Sequence, residues 1–457
     1  MNLKDFKGKN VLIMGLGLHG GGVGSAEFFA RLGARVLVTD LKSSSELRPS
    51  LEKLRRYKNI SYHLGVHKAG DFKKADYVVQ NQGVPDSSTF LRIAGRAGIP
   101  ILSDVEIFFL ACPAPIIGIT GTKGKSTTTW LIGAFLKAGE KIKRVKNIKR
   151  RVWVGGNIRT SMLDFLLRVR AHDLVVLELS SFQLESLRRI RRSPKIAVIT
   201  NIFPDHLNRY SSMHSYREAK ANIFRFQKSG DLLFLPSHGV GLGDVRSIRS
   251  RIVRVQSNPI FKKFANAFRM SPPEYHWVNI ALAIAVAKHF GVGDSAIRSV
   301  LKNFSGLSGR MELVRKVRGV EFINDTTATN PVASLEAVRA TKRRIGRHSL
   351  HVIAGGYDKG LPLAGYVASL VKYASSVVFL PGTATKKMES RIKNLEFRKR
   401  PRVSHAKTMS EAVRIAYRNA EPGDAVLLST GAASFGLFRH EFDRGDQFTA
   451  SVKRLKA

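Results

Sequence analysis

The residues with the clearest chemistry are Thr120-Gly121-Thr122-Lys123-Gly124-Lys125-Ser126-Thr127, set between an apolar run and a stretch of helical periodicity. Glycines let a backbone wrap a phosphate, and the N-terminus of the following helix offers N–H donors and a favourable dipole. In that setting Lys125 can reach the outer phosphates of a nucleotide, and the Ser126 hydroxyl can ligate Mg²⁺. The spacing is tighter than the general phosphate-loop pattern, because isoleucine stands at 119 where its first glycine would fall. The expectation is a bound nucleoside triphosphate, contacted by Gly121, Thr122, Lys123, Gly124, Lys125, Ser126 and Thr127.

A second glycine-rich turn, Gly15-Leu16-Gly17-Leu18-His19-Gly20, follows the apolar run Val11 to Met14, and Asp40 closes the next strand. This pattern suits the pyrophosphate of a dinucleotide. It suits equally a diphosphate from another nucleotide, such as a UDP-sugar, or a bare need for close strand–helix packing. The motif does not separate these. Three further polar groups fall where a metal bound to ATP would want ligands: Glu178 at a strand end, Asp205-His206 after the next strand, and Lys220 in the helical stretch Tyr216 to Lys220. His63 and His67 have the spacing of a zinc pair, but no further ligands accompany them, so zinc is not expected.

The elements that must position these groups alternate in type. Apolar, β-branched runs predict strands at Val11–Met14, Val36–Thr39, Tyr77–Val79, Ile99–Leu102, Ile116–Ile119, Leu174–Leu177 and Ile196–Thr200, with helices between them. A third block repeats the theme with strands at Val320–Ile323, Leu350–Ile353, Val377–Leu380 and Ala425–Leu428. Alternation of this kind argues α/β layering on parallel sheets, whose ligands gather beyond the carboxyl ends of the strands. Cys112-Pro113-Ala114-Pro115 and Ser305-Gly306-Leu307-Ser308-Gly309 read as boundaries, which gives domains at 1–112, 113–305 and 306–457.

Composition narrows the class further. The chain of 457 residues contains one cysteine, Cys112, so no disulfide can form within it and a cytoplasmic setting is expected. No apolar run is long enough to span a membrane. The net charge of +42 arises from 76 Lys and Arg against 34 Asp and Glu, spread along the chain with clusters at Lys141–Arg151, Arg188–Lys195, Arg339–Arg347 and Arg391–Arg402. Those clusters lack the interleaved aromatics of a single-strand platform, so a solvated basic surface is expected rather than a nucleic-acid site.

With Gly155-Gly156-Asn157-Ile158, Leu177-Glu178-Leu179-Ser180-Ser181-Phe182-Gln183-Leu184-Glu185 and Asp205-His206-Leu207-Asn208-Arg209-Tyr210 added to the phosphate loop, the chain resembles the Mur ligase family. Asn324-Asp325-Thr326-Thr327-Ala328-Thr329-Asn330-Pro331, Gly355-Gly356-Tyr357-Asp358-Lys359-Gly360 and Ser434-Phe435 ahead of Arg444-Gly445-Asp446 extend the likeness from about Val11 to Phe448. The Leu177–Glu185 stretch points within the family to the branch that adds glutamate to UDP-N-acetylmuramoyl-L-alanine.

The resemblance implies a monomeric, ATP- and Mg²⁺-dependent ligase of peptidoglycan precursor synthesis, acting through an acyl phosphate. Its three domains would be a Rossmann-like N-terminal domain, a P-loop-type central ATPase domain and a Rossmann-like C-terminal domain. The first would hold the UDP part of the substrate with Gly15, Gly17, Leu18 and His19, and with Asp40 and Lys42 near the uracil. In the centre, Ser126 and Glu178 would serve one Mg²⁺, His206 and a carbamylated Lys220 a second, and Asn279 the adenine. Asn157 and Ser180 would contact substrate and phosphate, Arg310 and Asp325 the nucleotide, and Thr329, Lys359, Ser434 and Phe435 the incoming glutamate. Thr327, Gly309, His276, Thr430-Gly431 and Glu441 depart from the family pattern. The changes near Thr327 and Ser434 touch the amino-acid pocket, so a sibling adding another amino acid or a folylpolyglutamate-synthase-like ligase is the nearest alternative, and a basic nucleic-acid-binding NTPase a remoter one.

Overall fold

Strands buried on both faces form the centre of each sheet in the computed structural model, which describes the chain apart from residues 19–20, 140–143, 146–147, 158–160, 206–208, 243–247, 269–275, 305, 396–399, 435 and 457. The first sheet contains β1 (Asn10–Met14), β2 (Arg35–Asp40), β3 (Ile60–Leu64), β4 (Tyr77–Gln80) and β5 (Ile101–Leu102). Its order is β3-β2-β1-β4-β5 and every pairing is parallel. The chain reverses its direction of travel across the sheet between β1 and β4, so their carboxyl ends open a crevice of the kind that binds ligands. The predicted strand Ile99–Leu102 is confined to Ile101–Leu102. Pro100 has no N–H for a ladder and contributes only its carbonyl, to Val78 N.

The second sheet is built from β6 (Ile116–Thr120), β9 (Val152–Gly156), β10 (Leu174–Glu178), β11 (Ile196–Ile199), β12 (Leu232–Pro236) and β13 (Arg251–Val255), with a separate two-stranded ribbon of β7 (Arg144–Val145) and β8 (Ile148–Lys149). The order β13-β12-β11-β6-β10-β9 puts β6 between β10 and β11, again all parallel. Every residue of β6 is buried, which is why it reads as an unbroken apolar run rather than an alternating one. Cys112 to Pro115 joins the helix Asp104–Ala111 to β6. The apolar core continues from the first sheet to the second, where Phe108 meets Phe165 edge-on at 5.7 Å and Phe165 stacks on Trp153 at 5.5 Å.

The third sheet has the order β14-β15-β19-β16-β17-β18, from β14 (Glu312–Val317), β15 (Val320–Asn324), β16 (Leu350–Gly355), β17 (Ser376–Leu380), β18 (Arg402–His405) and β19 (Ala425–Leu428). The sequence pattern predicts a parallel sheet, but β14 pairs antiparallel with β15. The cause is local: Arg318 and Gly319 join the two strands with φ of +44° and +82°, the left-handed pair that a tight hairpin demands. Among the described residues no helix is long and apolar enough to cross a membrane. The described residues group into two compact units, one over Met1–Pro204, Tyr210–Phe268 and the helices up to Lys302, the other over Asn303–Ala457 with Asp205 and Arg209.

Candidate active site

The phosphate loop runs from the end of β6 to the helix Lys125–Ala138, and the end of β11 holds it in shape. Thr122 N donates to Asn201 O at 2.9 Å, Lys123 N to Asn201 Oδ1 at 2.8 Å, and Asn201 Nδ2 returns a bond to Lys123 O at 3.0 Å. Thr200 Oγ1 also donates to Lys123 O, at 2.5 Å. Glycine is required at two places. A Cβ on Gly121 would lie 1.9 Å from Thr200 Oγ1, and one on Gly124, at φ +83°, would lie 2.1 Å from Asn279 Oδ1. Lys125 Nζ donates to Gly121 O at 2.9 Å and Thr122 O at 3.0 Å, which sets its positive charge on the loop itself.

Ser126, one residue into the helix, donates its hydroxyl to Glu178 Oε2 at 2.5 Å. Glu178 is the last residue of β10 and is buried, and Asn157 stands 3.5 Å from its other oxygen. Hydroxyl, carboxylate and amide oxygen are the hard donors that Mg²⁺ accepts when phosphates and water complete its shell. Ser126 and Glu178 therefore fit one Mg²⁺. Lys220, from the helix Met213–Arg225, is only 1% exposed and donates to Gly121 O at 3.0 Å and Thr120 Oγ1 at 3.5 Å. As an ammonium it cannot ligate a cation. His206 lies outside the described residues. Asn279, 4% exposed, has no hydrogen-bond partner for Oδ1 among the described residues, and it faces Gly124 from the helix Trp277–His289. Ser180 serves as N-cap of the helix Ser181–Arg189 in a reciprocal capping box with Gln183.

In the first sheet Gly15 and Gly17 have φ of +90° and +61°. Asp40, at the end of β2, accepts from Leu16 N at 2.8 Å and Gly17 N at 3.1 Å through one oxygen, and from Lys42 N at 2.9 Å through the other. Its carboxylate thus shapes the turn. A Cβ on Gly22 would fall 2.3 Å from Gly15 O, so glycine there permits the close approach of helix to turn. Leu18 is half-buried and Lys42 exposed, while His19 lies outside the described residues.

The second unit gathers its own set. Lys359 Nζ donates to Thr329 Oγ1 at 3.2 Å. The segments carrying Lys359 and Ser434 are tied by reciprocal backbone bonds between Tyr357 and Ala433, each 3.0 Å. Asp325 accepts from Ser429 Oγ at 2.9 Å and Met311 N at 3.2 Å. Arg310 is half-buried in the same unit, and Phe435 lies outside the described residues. Two departures from the family pattern are neighbours: Thr327 Oγ1 donates to Gly309 O at 2.9 Å. A third has a steric reason. Gly431 has φ +64°, and a Cβ there would meet the Tyr366 ring at 2.5 Å.

The Mur ligase MurD-like N-terminal domain matches residues 9–103, the Mur ligase middle domain residues 119–253, and the Mur ligase glutamate ligase domain residues 309–431. A protein of Roseiflexus sp. (strain RS-1) named UDP-N-acetylmuramoylalanine–D-glutamate ligase is 39% identical, with 98% of each chain covered. The chain belongs to the Mur ligase family. A protein of the same name from Borreliella afzelii (strain PKo) is 33% identical over the whole of both chains. Among solved structures, UDP-N-acetylmuramate-alanine ligase MurC from Thermotoga maritima has a TM-score of 0.63 at 18% identity, covering 98% of this chain and 100% of that one. MurF ligase from Thermotoga maritima in complex with ADP has a TM-score of 0.56 at 13% identity, covering 92% and 95%. These two share the fold.

Other polar residues of this Mur ligase support the site without a visible signature. Thr200 and Asn201 follow a strand as ordinary polar residues, yet they brace the whole phosphate loop; their place beside a glycine turn becomes evident only when β11 is known to pair with β6. Arg444 is 1% exposed and bonds Thr326 Oγ1, Thr326 O and Ala432 O at 3.0, 2.6 and 3.2 Å. Burial lowers its guanidinium pKa to about 10, so it remains a cation while it ties the Asp325 segment to the Ser434 segment. The motif Arg444-Gly445-Asp446 marks the family likeness, but the groups that the side chain holds are not legible in it.

Proposed function

We propose that the chain joins the carboxylate of UDP-N-acetylmuramoyl-L-alanine to the amine of D-glutamate, driven by ATP, as a step of peptidoglycan precursor synthesis. The observation that carries this reading is the Gly121–Ser126 turn, with two lysines on its carbonyls and Ser126 bonded to Glu178. The relatives that match end to end supply the substrate class.

The carboxylate oxygen attacks the γ-phosphorus, ADP departs, and an acyl phosphate forms. The deprotonated amine of glutamate then attacks the acyl carbon, and the tetrahedral adduct collapses with loss of phosphate. Lys125 and the N-terminus of its helix stabilise charge on the transferring group. Mg²⁺ on Ser126 and Glu178 supplies charge neutralisation of the phosphates when bound. Gly121, Thr122, Lys123, Gly124 and Thr127 contact the phosphates, and Asn279 contacts the adenine. Arg310 and Asp325 match family positions near the nucleotide. Gly15, Gly17, Leu18, His19 and Lys42 hold the UDP moiety, with Asp40 shaping the turn; Asn157 and Ser180 face the reacting end. Thr329, Lys359, Ser434 and Phe435 hold glutamate.

Carbamylation of Lys220 gives its position a rationale. The carbamate nitrogen retains one N–H for Gly121 O, while the new carboxylate exchanges a buried cation for an anion that, with His206, suits a second Mg²⁺. We divide the domains at 1–112, 113–305 and 306–457 and take the working form to be a cytoplasmic monomer.

The test is phosphate release by the purified chain with ATP, Mg²⁺ and UDP-N-acetylmuramoyl-L-alanine against a panel of D- and L-amino acids. Release with D-glutamate above all others supports the reading. Preference for another amino acid moves the chain to a sibling specificity, and release stimulated only by RNA or DNA overturns it.

A further inference from the structure

A single arginine in the first unit joins the helix that follows Glu178 to the turn that packs on Gly15. Arg189 is the last residue of the helix Ser181–Arg189. Its Nε and Nη2 take the two oxygens of Glu106 at 3.0 and 2.7 Å, a paired fork that leaves Nη1 facing Gln80 Oε1 at 3.3 Å and Asp86 Oδ1 at 3.8 Å. Glu106 is a rigid anchor. Its side chain is 1% exposed, and it also accepts from Ser103 N and Ser103 Oγ at 2.7 and 2.8 Å in a capping box.

The third arm of the fork braces a glutamine whose orientation two acceptors set. A glutamine amide can turn over, exchanging its donor and acceptor ends. Val84 O and Asp86 Oδ1 can only accept, so the Gln80 NH₂ group faces them, at 2.9 and 2.6 Å, and its Oε1 is presented to Arg189 Nη1. Those two bonds close the turn after β4. That turn is in contact with the Gly15 turn: Asn81 Nδ2 donates to Gly15 O at 3.0 Å, and a Cβ on Gly15 would find Asn81 and Val84 at 3.2 Å.

We propose that Arg189 is a positioning residue for the UDP-linked substrate, bracing Gln80 and Asp86 from the buried anchor Glu106 and so keeping the turn after β4 against Gly15. The inference rests on the reading of the Gly15 turn as the UDP site. Loss of the fork therefore weakens the UDP-linked substrate and leaves ATP, whose loop is braced by the end of β11, unchanged.

Three variants test this in the full-length chain. Arg189→Met removes the fork; Arg189→Met with Glu106→Gln also removes the buried charge left unpaired, in case the single variant does not fold; Arg189→Lys keeps a charge for Glu106 without a planar fork. The expected result in the first two is a KM for the UDP-linked substrate raised roughly tenfold, a KM for ATP within about twofold, and a matching loss of UDP affinity by calorimetry. Arg189→Lys should keep the thermal midpoint and lose most of that affinity. A lowered midpoint with KM and UDP affinity unchanged would reduce Arg189 to scaffold and overturn the proposal, as would an equal rise in KM for ATP. Wild-type controls separate the two levels: an active wild type with unaltered variants sinks this inference alone, whereas a wild type that neither binds UDP nor releases phosphate sinks the functional reading beneath it.

Discussion

The two glycine turns of the first unit follow one plan, parallel strand to turn to helix, and are held in opposite ways. Around Gly15 a buried carboxylate, Asp40, takes the turn's own Leu16 and Gly17 N–H groups. Around Gly121 the braces are polar but neutral, Thr200 and Asn201, and the charges brought to the carbonyls are the cations Lys125 and Lys220. Room differs as well: a Cβ on Gly17 would lie 3.9 Å from Asn81 Nδ2, whereas one on Gly121 would lie 1.9 Å from Thr200 Oγ1. A turn shaped by its own anion suits a ligand that is gripped by fit and does not change charge. A turn set about with cations suits a group whose negative charge shifts during reaction, which is where preorganised electrostatics contribute most.

That contrast can be broken most forcefully at Lys125. Lys125→Ala should lower kcat by roughly a thousandfold or more while UDP affinity holds, read by phosphate release and calorimetry. Near-normal turnover would place the transferring phosphate elsewhere. Lys220→Ala should lose roughly a hundredfold in kcat, and added formate or acetate should restore much of it if a carbamate carries the function. A large loss without rescue would leave Lys220 as a plain ammonium on the loop. On the other turn, Asp40→Asn replaces one acceptor by a donor facing N–H groups, and should raise the KM of the UDP-linked substrate roughly tenfold with kcat little altered. Gly17→Ala has space but a strained φ, so it should cost only about 1 kcal/mol of stability in denaturant titrations.

Much of this was readable from residue types and spacing. The phosphate loop is legible because its function lies in the local residues themselves, and the buried parallel strands because burial on both faces leaves an unbroken apolar run. The long resemblance carried the family. What spacing could not tell is which neighbour a polar group meets across the sheet. Asp40 is expected near the uracil end, and spacing does not reveal that its oxygens also accept from the Leu16, Gly17 and Lys42 N–H groups. Arg189 lies in a basic cluster and Arg444 in a short family motif, and neither setting reveals a role that arises from partners 83 and 118 positions away. The antiparallel β14 escaped notice because its hairpin uses Arg318 at positive φ, a conformation that arginine seldom adopts.

The central claim is that the substrate carboxylate takes the terminal phosphoryl group before the amide forms. UDP-N-acetylmuramoyl-L-alanine labelled with heavy oxygen in its alanyl carboxyl group, turned over with ATP and D-glutamate, tests it directly by mass spectrometry of the released phosphate. The account predicts one heavy oxygen carried into each phosphate. Phosphate free of label, with amide formed, would contradict it.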